Sequence, residues 1–445
     1  MKAGFARACI NPKNGTPMIG YYEERYSKGI LDDVYLTAVA FSEREEKALI
    51  YSVEVCEFST PQCDSFRRAI SSATGVAIDA IFINCSHTHT GAMVGDVGAL
   101  GTSMRSPEYE KELYNAFLKV GAEAISDLSD AEFFYRENKA EDISFIRRYR
   151  MKNGGVQTNP GVENPDIDHP LGTPNETAKM IRIKREGRDD IAIISYGTHA
   201  DTVGGDLISG DWPGLLRNLC EERLVKTKCI FLTGSQGDVN HVNVHPSDDE
   251  KARLTKQDFD VPRGYEHTKF MARTIMEALT DAEETAVAAD GIRFKSKEFF
   301  APSNKENDKL DEARKIVKLF NENRKDEIPF TGMELTTVIA EACRRVKLEN
   351  GPEGYNFRVF SLSLGGITFI GIPGELFTEV GRRAEAIVNK GVSFVLCLTN
   401  GGDSYFPTSS AYDEGGYEAR TSVLKKGVDD LVIKALEELY SEISN

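Results

Sequence analysis

The chain has 445 residues, 40% hydrophobic and 28% charged, the proportions of a globular protein with room for one large domain or two to three ordinary ones. A formal net charge of −16 argues against a nucleic-acid or anionic-membrane partner, because both select basic patches, and it suits a soluble enzyme. No run approaches ~18 apolar residues and the opening MKAGFARACINPKNGTP lacks the apolar region of a signal peptide. The expectation is therefore a cytoplasmic protein without membrane insertion, its eight scattered cysteines reduced.

Taken in order, the chain opens as strand, glycine-rich turn, strand, strand, with turn chemistry over 11–17. The runs 34–42 and 47–55 predict a hairpin joined by the polar loop 43–46. A helix over 60–72 takes Pro61 at its first position. Ile81, Phe82 and Ile83 then form a short apolar strand that runs into Cys85-Ser86-His87-Thr88-His89-Thr90-Gly91. If that strand continues, His87 and His89 point to one face and their imidazoles converge on one point, as metal ligands do. The other reading is two polar histidines bonded to backbone. Cys85 beside them reads as a buried structural thiol.

An amphipathic helix starts at Ser106-Pro107 and carries Tyr109, Leu113, Phe117 and Val120 at helical spacing. Residues 131–148 are strand-like and end in Arg147-Arg148. The stretch 151–178 is rich in Asn, Gly and Pro without periodicity, which predicts an irregular functional loop or surface excursion. Runs 181–185 and 191–200 predict a second hairpin whose last strand ends at His199, followed by a helix over 211–224. A buried strand within 229–240 ends in a Gly-rich turn, where Asp238 reads as bonding backbone. A helix over 263–280, a strand over 291–300 and a charged helix over 305–323 come next. Residues 357–375 alternate as a hairpin around Gly365-Gly366 and finish at Glu375. By itself, Glu375 reads as a favourable charge at the start of a helix over 376–389. A strand over 392–400, a stretch rich in Gly, Tyr and Ser, and a helix over 421–440 close the chain.

This alternation predicts an α/β fold of mixed β-sheets with flanking helices, one large domain over 1–445. Polar residues suited to a single metal site stand at four strand ends: His87/His89, His199, Glu375, and the tyrosines Tyr405, Tyr412 and Tyr417. Active sites of such folds collect residues from several strand ends.

Several stretches, in the same order, resemble the neutral/alkaline non-lysosomal ceramidase family. Gly4-Phe5-Ala6 through Asn11-Pro12, then Pro17 to Tyr21, resemble that family's opening, and SHTHTGA resembles its T-H-T-H-S-G signature. GTHAD followed by ISGDWPG is similar to its second histidine segment and S-A-D-Y-P-G run. GSQGDVN resembles its G-D-V-S turn, PGELFTEVGRR its P-G-E-F segment, and Asn400, Tyr405, Tyr412 and Tyr417-Glu418 its tyrosine-rich stretch.

The resemblance implies one zinc ion held by His87, His199, Glu375 and Tyr405. It also implies that His89 and Tyr417 face the reacting amide while Arg147, or its neighbour Arg148, contacts the substrate. The chain ends where the family's C-terminal β-sandwich domain would begin, and Asn240-His241 stand where the family has serine after G-D-V. The activity implied by the resemblance is zinc-dependent hydrolysis of an N-acyl amide. The mouth of the pocket is expected from 151–178, 95–102 and 401–404. A lipid tunnel needs apolar lining, and 151–178 is polar, so the expected substrate is small and polar rather than ceramide. A non-catalytic ligand- or carbohydrate-binding protein on the same fold is the alternative. His169, His241, His245 and His267 are expected in solvent or behind the ligands.

Overall fold

Three pairs of parallel strands organise the molecule, a computed structural model that describes residues 1–95, 105–257, 262–305, 308–402 and 404–444. Glu46–Val53 runs beside Ile81–Cys85 with Val53 opposite Cys85, and Asp190–Tyr196 runs beside Thr227–Thr233 with Tyr196 opposite Thr233. Ile367–Gly371 runs beside Val392–Leu396 with Gly371 opposite Leu396. A parallel pair delivers both carboxyl ends to one edge, where open α/β sheets collect their functional residues.

The first two pairs lie at opposite ends of one nine-stranded mixed sheet, and the third edges a four-stranded sheet. Antiparallel strands Thr177–Arg185, Ser129–Lys139, Lys2–Cys9 and Tyr35–Glu43 fill the middle of the large sheet. Its two end strands meet at their carboxyl ends: Asn84 Oδ1 accepts from the Thr233 amide at 2.8 Å, and Thr233 Oγ1 donates to the Cys85 carbonyl at 2.7 Å. The segment after Leu396 is wedged into this seam. Cys397 N–H donates to Thr233 O at 3.0 Å, and Asn84 Nδ2 donates to Cys397 O at 2.6 Å. Asn400 accepts from Ile83 N at 2.9 Å and donates to Ile81 O at 3.2 Å, so one side chain pairs with the strand edge. These three pairs thus end around one spot in a single domain.

The core explains the sequence pattern. Ile81–Cys85 and Ile367–Gly371 are buried at every residue, as strands covered on both faces are, which is why they read as continuous apolar runs. Helix Pro107–Ser126 lays Tyr109, Leu113, Phe117, Val120 and Ala124 on the large sheet. Helices Asp211–Arg223 and Tyr265–Asp281 pack a second cluster around Trp212. Among the described residues, no helix is long and apolar enough to cross a membrane.

Several boundaries differ from expectation. The first histidine strand stops at Cys85 and the second at Tyr196, each before its histidine. The helix expected from 376 begins at Thr378. The stretch 151–178 is not structureless: Val156–Thr158 and Ile167–Pro170 pair on either side of Arg148–Met151 as a three-stranded sheet. These strands are too short, at three and four residues, to show alternation. Helix Gly332–Glu349 has no counterpart among the expected elements. It buries Thr337, Val338, Ile339 and Ala340 in succession, with Leu310–Asn321 and Tyr417–Thr421 both packed on it, so no single stripe marks it.

Candidate metal centre

Each expected histidine ligand leaves its strand through a short turn that aims it inward. His87 lies two residues past Ile81–Cys85 with φ 64°, and its amide donates to Val55 O at 3.1 Å. This left-handed turn, not strand alternation, places the ring. Its Nδ1 lies 3.1 Å from the Cys56 carbonyl. His199 Nδ1 lies 2.8 Å from Gln236 O and 3.0 Å from Val239 O. A carbonyl only accepts, so both Nδ1 atoms carry a proton and both Nε2 atoms face inward. Between them stands Glu375, whose Oε2 is 3.4 Å from His87 Nε2 and 3.1 Å from His199 Nε2. All three side chains are buried.

Two lone pairs against a carboxylate repel unless a proton or a cation lies among them. Burial opposes charge on His87, but Cys56 and Glu375 raise its pKa well above the usual imidazole range. His199 is held down by burial and by the adjacent Arg147. Burial would push Glu375 up, yet His87 and His199 hold it well below the usual carboxylate range. The ligand atoms of the three residues all lie within 4.8 Å of one another. A tetrahedral ion with bonds of ~2.0–2.1 Å to nitrogen and oxygen holds neighbouring donors ~3.3 Å apart. The observed 3.1 and 3.4 Å match that spacing, so His87, His199 and Glu375 could hold a metal ion.

Glu375 is not a helix-end charge. It belongs to a two-residue parallel ladder, Glu375–Leu376 against Tyr405–Phe406, in which Glu375 faces Tyr405 directly. Residues so paired project to the same face of a sheet, which brings Tyr405 to the cluster. Gly237 makes this approach possible: its amide donates to Leu376 O at 2.7 Å, and a Cβ there would sit 2.6 Å from Glu375 O. Arg147 links the parts. Its Nη1 donates to His199 Nε2 at 3.1 Å, Nη2 to Tyr405 Oη at 3.1 Å and Gly237 O at 2.9 Å, and Nε to Glu418 Oε1 at 2.6 Å. Arg148 turns the other way, to Glu414 Oε2 and Gly415 O.

His89 and Tyr417 complete the wall. The His89 ring lies 4.9 Å from that of His87 and 5.8 Å from that of His199, and neither nitrogen has a hydrogen-bond partner among the described residues. Burial and His87 push its pKa down to about 3, so it stays neutral. Gly20, with φ 118°, lets the chain pass close by, since a Cβ there would lie 2.7 Å from the His89 side chain. Tyr417 meets the Tyr405 ring edge-on at 5.9 Å, and burial pushes its phenol up to about 12, so it remains a donor.

Other expected residues lie elsewhere. Tyr412 donates to Leu424 O at 2.7 Å and buttresses the last turn. Asp238 bonds backbone, but that of Thr378 across the fold, at 2.7 Å. Asn240 Nδ2 donates to Asn159 Oδ1. His241 Nδ1 lies 3.2 Å from Asp201 Oδ1. His169 is exposed beside Asp168, His245 is exposed, and His267 is buried next to His241. Of the expected mouth, 96–102 and Asp403 lie outside the described residues. Thr158, from the 151–178 stretch, supports the site from behind: its Oγ1 donates to Glu418 Oε2 and accepts from the Tyr417 amide, both at 3.0 Å. Residues His169–Thr173 line a separate polar cavity of about 390 Å³ with Arg148, Asp238 and Arg382.

Four contributors escaped the sequence reading: Cys56 and Gln236, which carry the carbonyls on the two histidines, Tyr22, whose hydroxyl lies 3.4 Å from Tyr417 Oη, and Glu418 as the partner of Arg147. Cys56 had a signal. It follows the strand parallel to the histidine strand, so its chain leaves at the same edge.

No family model and no curated protein matches the sequence. Solved structures do match the fold. Neutral ceramidase from Pseudomonas aeruginosa superposes with a TM-score of 0.72 at 16% identity, over 99% of this chain and 75% of that one. A ceramidase complexed with C2 gives 0.70 at 14% identity, again over 99% and 75%. The fold of this chain is that of neutral ceramidase, which bears out the resemblance in its motifs at the level of architecture.

Proposed function

Starting from a neutral ceramidase fold with a buried His/His/Glu cluster, we propose that the chain is a zinc-dependent hydrolase of N-acyl amides. The observation that carries the reading is the convergence of His87 Nε2, His199 Nε2 and Glu375 Oε2, each imidazole fixed by a carbonyl on its other nitrogen. In this proposal Tyr405 is the fourth ligand. A zinc ion in such a set acidifies water and polarises a carbonyl oxygen. His89, neutral and without a partner, takes the proton of the attacking water and returns it to the leaving amine. Tyr417, a phenol throughout the ordinary pH range, donates to the developing oxyanion. Arg147 positions His199 and Tyr405 through hydrogen bonds to both, and in this proposal it also contacts the substrate.

Polar groups beside His89 support a small polar substrate over ceramide. Arg25 Nη2 donates to His89 O at 2.6 Å, and Tyr21, 37% exposed, packs its ring edge on His89 at 5.4 Å. The cysteines, free thiols throughout, suit the cytoplasm as the compartment. The test is a hydrolysis screen on zinc-loaded protein, with short N-acyl amines and N-acyl amino sugars against a long-chain ceramide. Cleavage of the polar compounds is expected. Cleavage of ceramide alone would restore the lipid substrate.

One contact favours a second reading. Arg147 Nη1 donates into His199 Nε2, so the guanidinium can itself serve as the cation of a metal-free binding site. Metal analysis after purification without chelator separates the two, since less than about half an equivalent would favour the binding protein.

A further inference from the structure

Beside the first cluster lies a second set of ligand atoms that the hydrolase reading leaves unused as a set. Cys56 Sγ is 3.6 Å from His87 Nδ1, and ligand atoms of Cys56, His87 and His89 all fall within 4.8 Å of one another. Tetrahedral zinc, with bonds of ~2.3 Å to sulfur and ~2.0–2.1 Å to nitrogen, holds such donors ~3.5 Å apart. Cys56 is buried, and both His89 nitrogens are buried without a hydrogen-bond partner among the described residues. An imidazole left this way is costly unless something ligates it. A thiolate with imidazoles selects soft ions over magnesium or calcium. His87 belongs to both sets, with Nε2 toward Glu375 and Nδ1 toward Cys56.

We propose that Cys56, His87 and His89 form a second, thiophilic metal site that overlaps the first at His87 and takes a soft divalent ion such as cadmium or excess zinc. Binding releases two protons to solvent, the thiol proton of Cys56 and the Nδ1 proton that His87 donates to the Cys56 carbonyl. With both sites filled, His87 bridges them as an imidazolate. An ion in the second site also takes His89 out of acid–base work, so it inhibits. The inference goes beyond the amide-hydrolase reading and rests on its metal centre but not on its activity, because thiolate ligation is read without turnover.

The experiment uses the full chain, reduced, holding one equivalent of zinc and titrated anaerobically with cadmium chloride. The ultraviolet cadmium–thiolate charge-transfer band should saturate at one added equivalent. Cys56→Ser should abolish the band while keeping the bound zinc, which also shows that the variant is folded. His89→Gln should weaken cadmium binding by about tenfold or more. No band in the unaltered chain, a band of equal intensity in Cys56→Ser, or unchanged affinity in His89→Gln overturns the proposal. If Cys56→Ser does not fold, the His89→Gln affinity decides.

Discussion

His87, His199 and Glu375 stand within four residues of the ends of buried parallel strands, whereas Tyr417 and Glu418 stand on a five-residue helix at the molecule's helical side. The first group is rooted in strand registers and in bonds such as Asn84–Thr233 that lie wholly in the interior. The second is propped by half-exposed charges: Arg420 pairs with Glu334 and Glu341 of Gly332–Glu349, whose Arg344 donates back to Arg420 O. Buried register resists displacement, while ion pairs still open to solvent contribute less each. The metal donors are therefore held by the stiff part of the fold, and the residue proposed to meet the oxyanion rests on the adjustable part. Arg147 and Glu418 join the two.

The comparison breaks first at the ligands. His87→Ala and His199→Ala should each abolish metal binding and all hydrolysis, measured as metal content and turnover on the compounds of the screen. Retained metal in either variant would mean that the strand-end turns do not form the centre. Next in size is the joint. Glu418 is fully buried and takes the Arg147 Nε hydrogen bond at 2.6 Å, so Glu418→Gln leaves a buried guanidinium without its counter-charge. Breaking such a pair costs roughly 3–5 kcal/mol, read as a loss of stability in denaturant unfolding. A loss below about 1 kcal/mol would show that neutral partners suffice for Arg147, in the range of an ordinary hydrogen bond.

The two tyrosines sharpen the division. Tyr405 is laddered to Glu375, so Tyr405→Phe should weaken metal binding. Tyr417→Phe should keep the metal and slow the reaction by roughly tenfold to a thousandfold, the cost of an oxyanion donor. The opposite pattern, metal lost with Tyr417 and kept with Tyr405, would exchange their roles.

The same division marks what could be read from residues alone. His87, His199 and Glu375 were legible because each stands within four residues of the end of an apolar run, a signal local in sequence. Their convergence was legible only as a count of strand ends, and the assumed reason for His87 was different, since its inward aim comes from φ 64° rather than strand alternation. Glu375 looked like a helix-end charge because a two-residue ladder leaves no periodic trace. Arg147 and Arg148 are neighbours of the same type, and only the fold shows that one turns to His199 and the other to Glu414. Cys56, Gln236 and Tyr22 act through contacts 31, 37 and 395 residues away in the chain, which no local pattern carries. Helix Gly332–Glu349 hid because it buries four residues in succession, which leaves no single apolar stripe.

The smallest expected effect tests how far the helical side tunes the reaction. Tyr22 follows Gly20-Tyr21, the segment that packs on His89, and its hydroxyl sits 3.4 Å from Tyr417 Oη. Its ring joins the cluster formed by Phe320, Ile328, Val338 and Ile339, and its carbonyl accepts from Lys325 Nζ at 2.7 Å. Tyr22 thus links the helical hairpin Leu310–Asn321/Gly332–Glu349 to Tyr417. Tyr22→Phe keeps the ring in that cluster and removes only the hydroxyl. A neutral hydrogen bond contributes ~0.5–1.5 kcal/mol, so turnover should fall by roughly twofold to tenfold with metal content and KM unchanged. Combined with Tyr417→Phe, the second substitution should cost nothing further, because the hydroxyl it orients is already gone. Additive losses would show that Tyr22 acts on the site by another route, and no loss in the single variant would show that the sheet side alone sets the position of Tyr417.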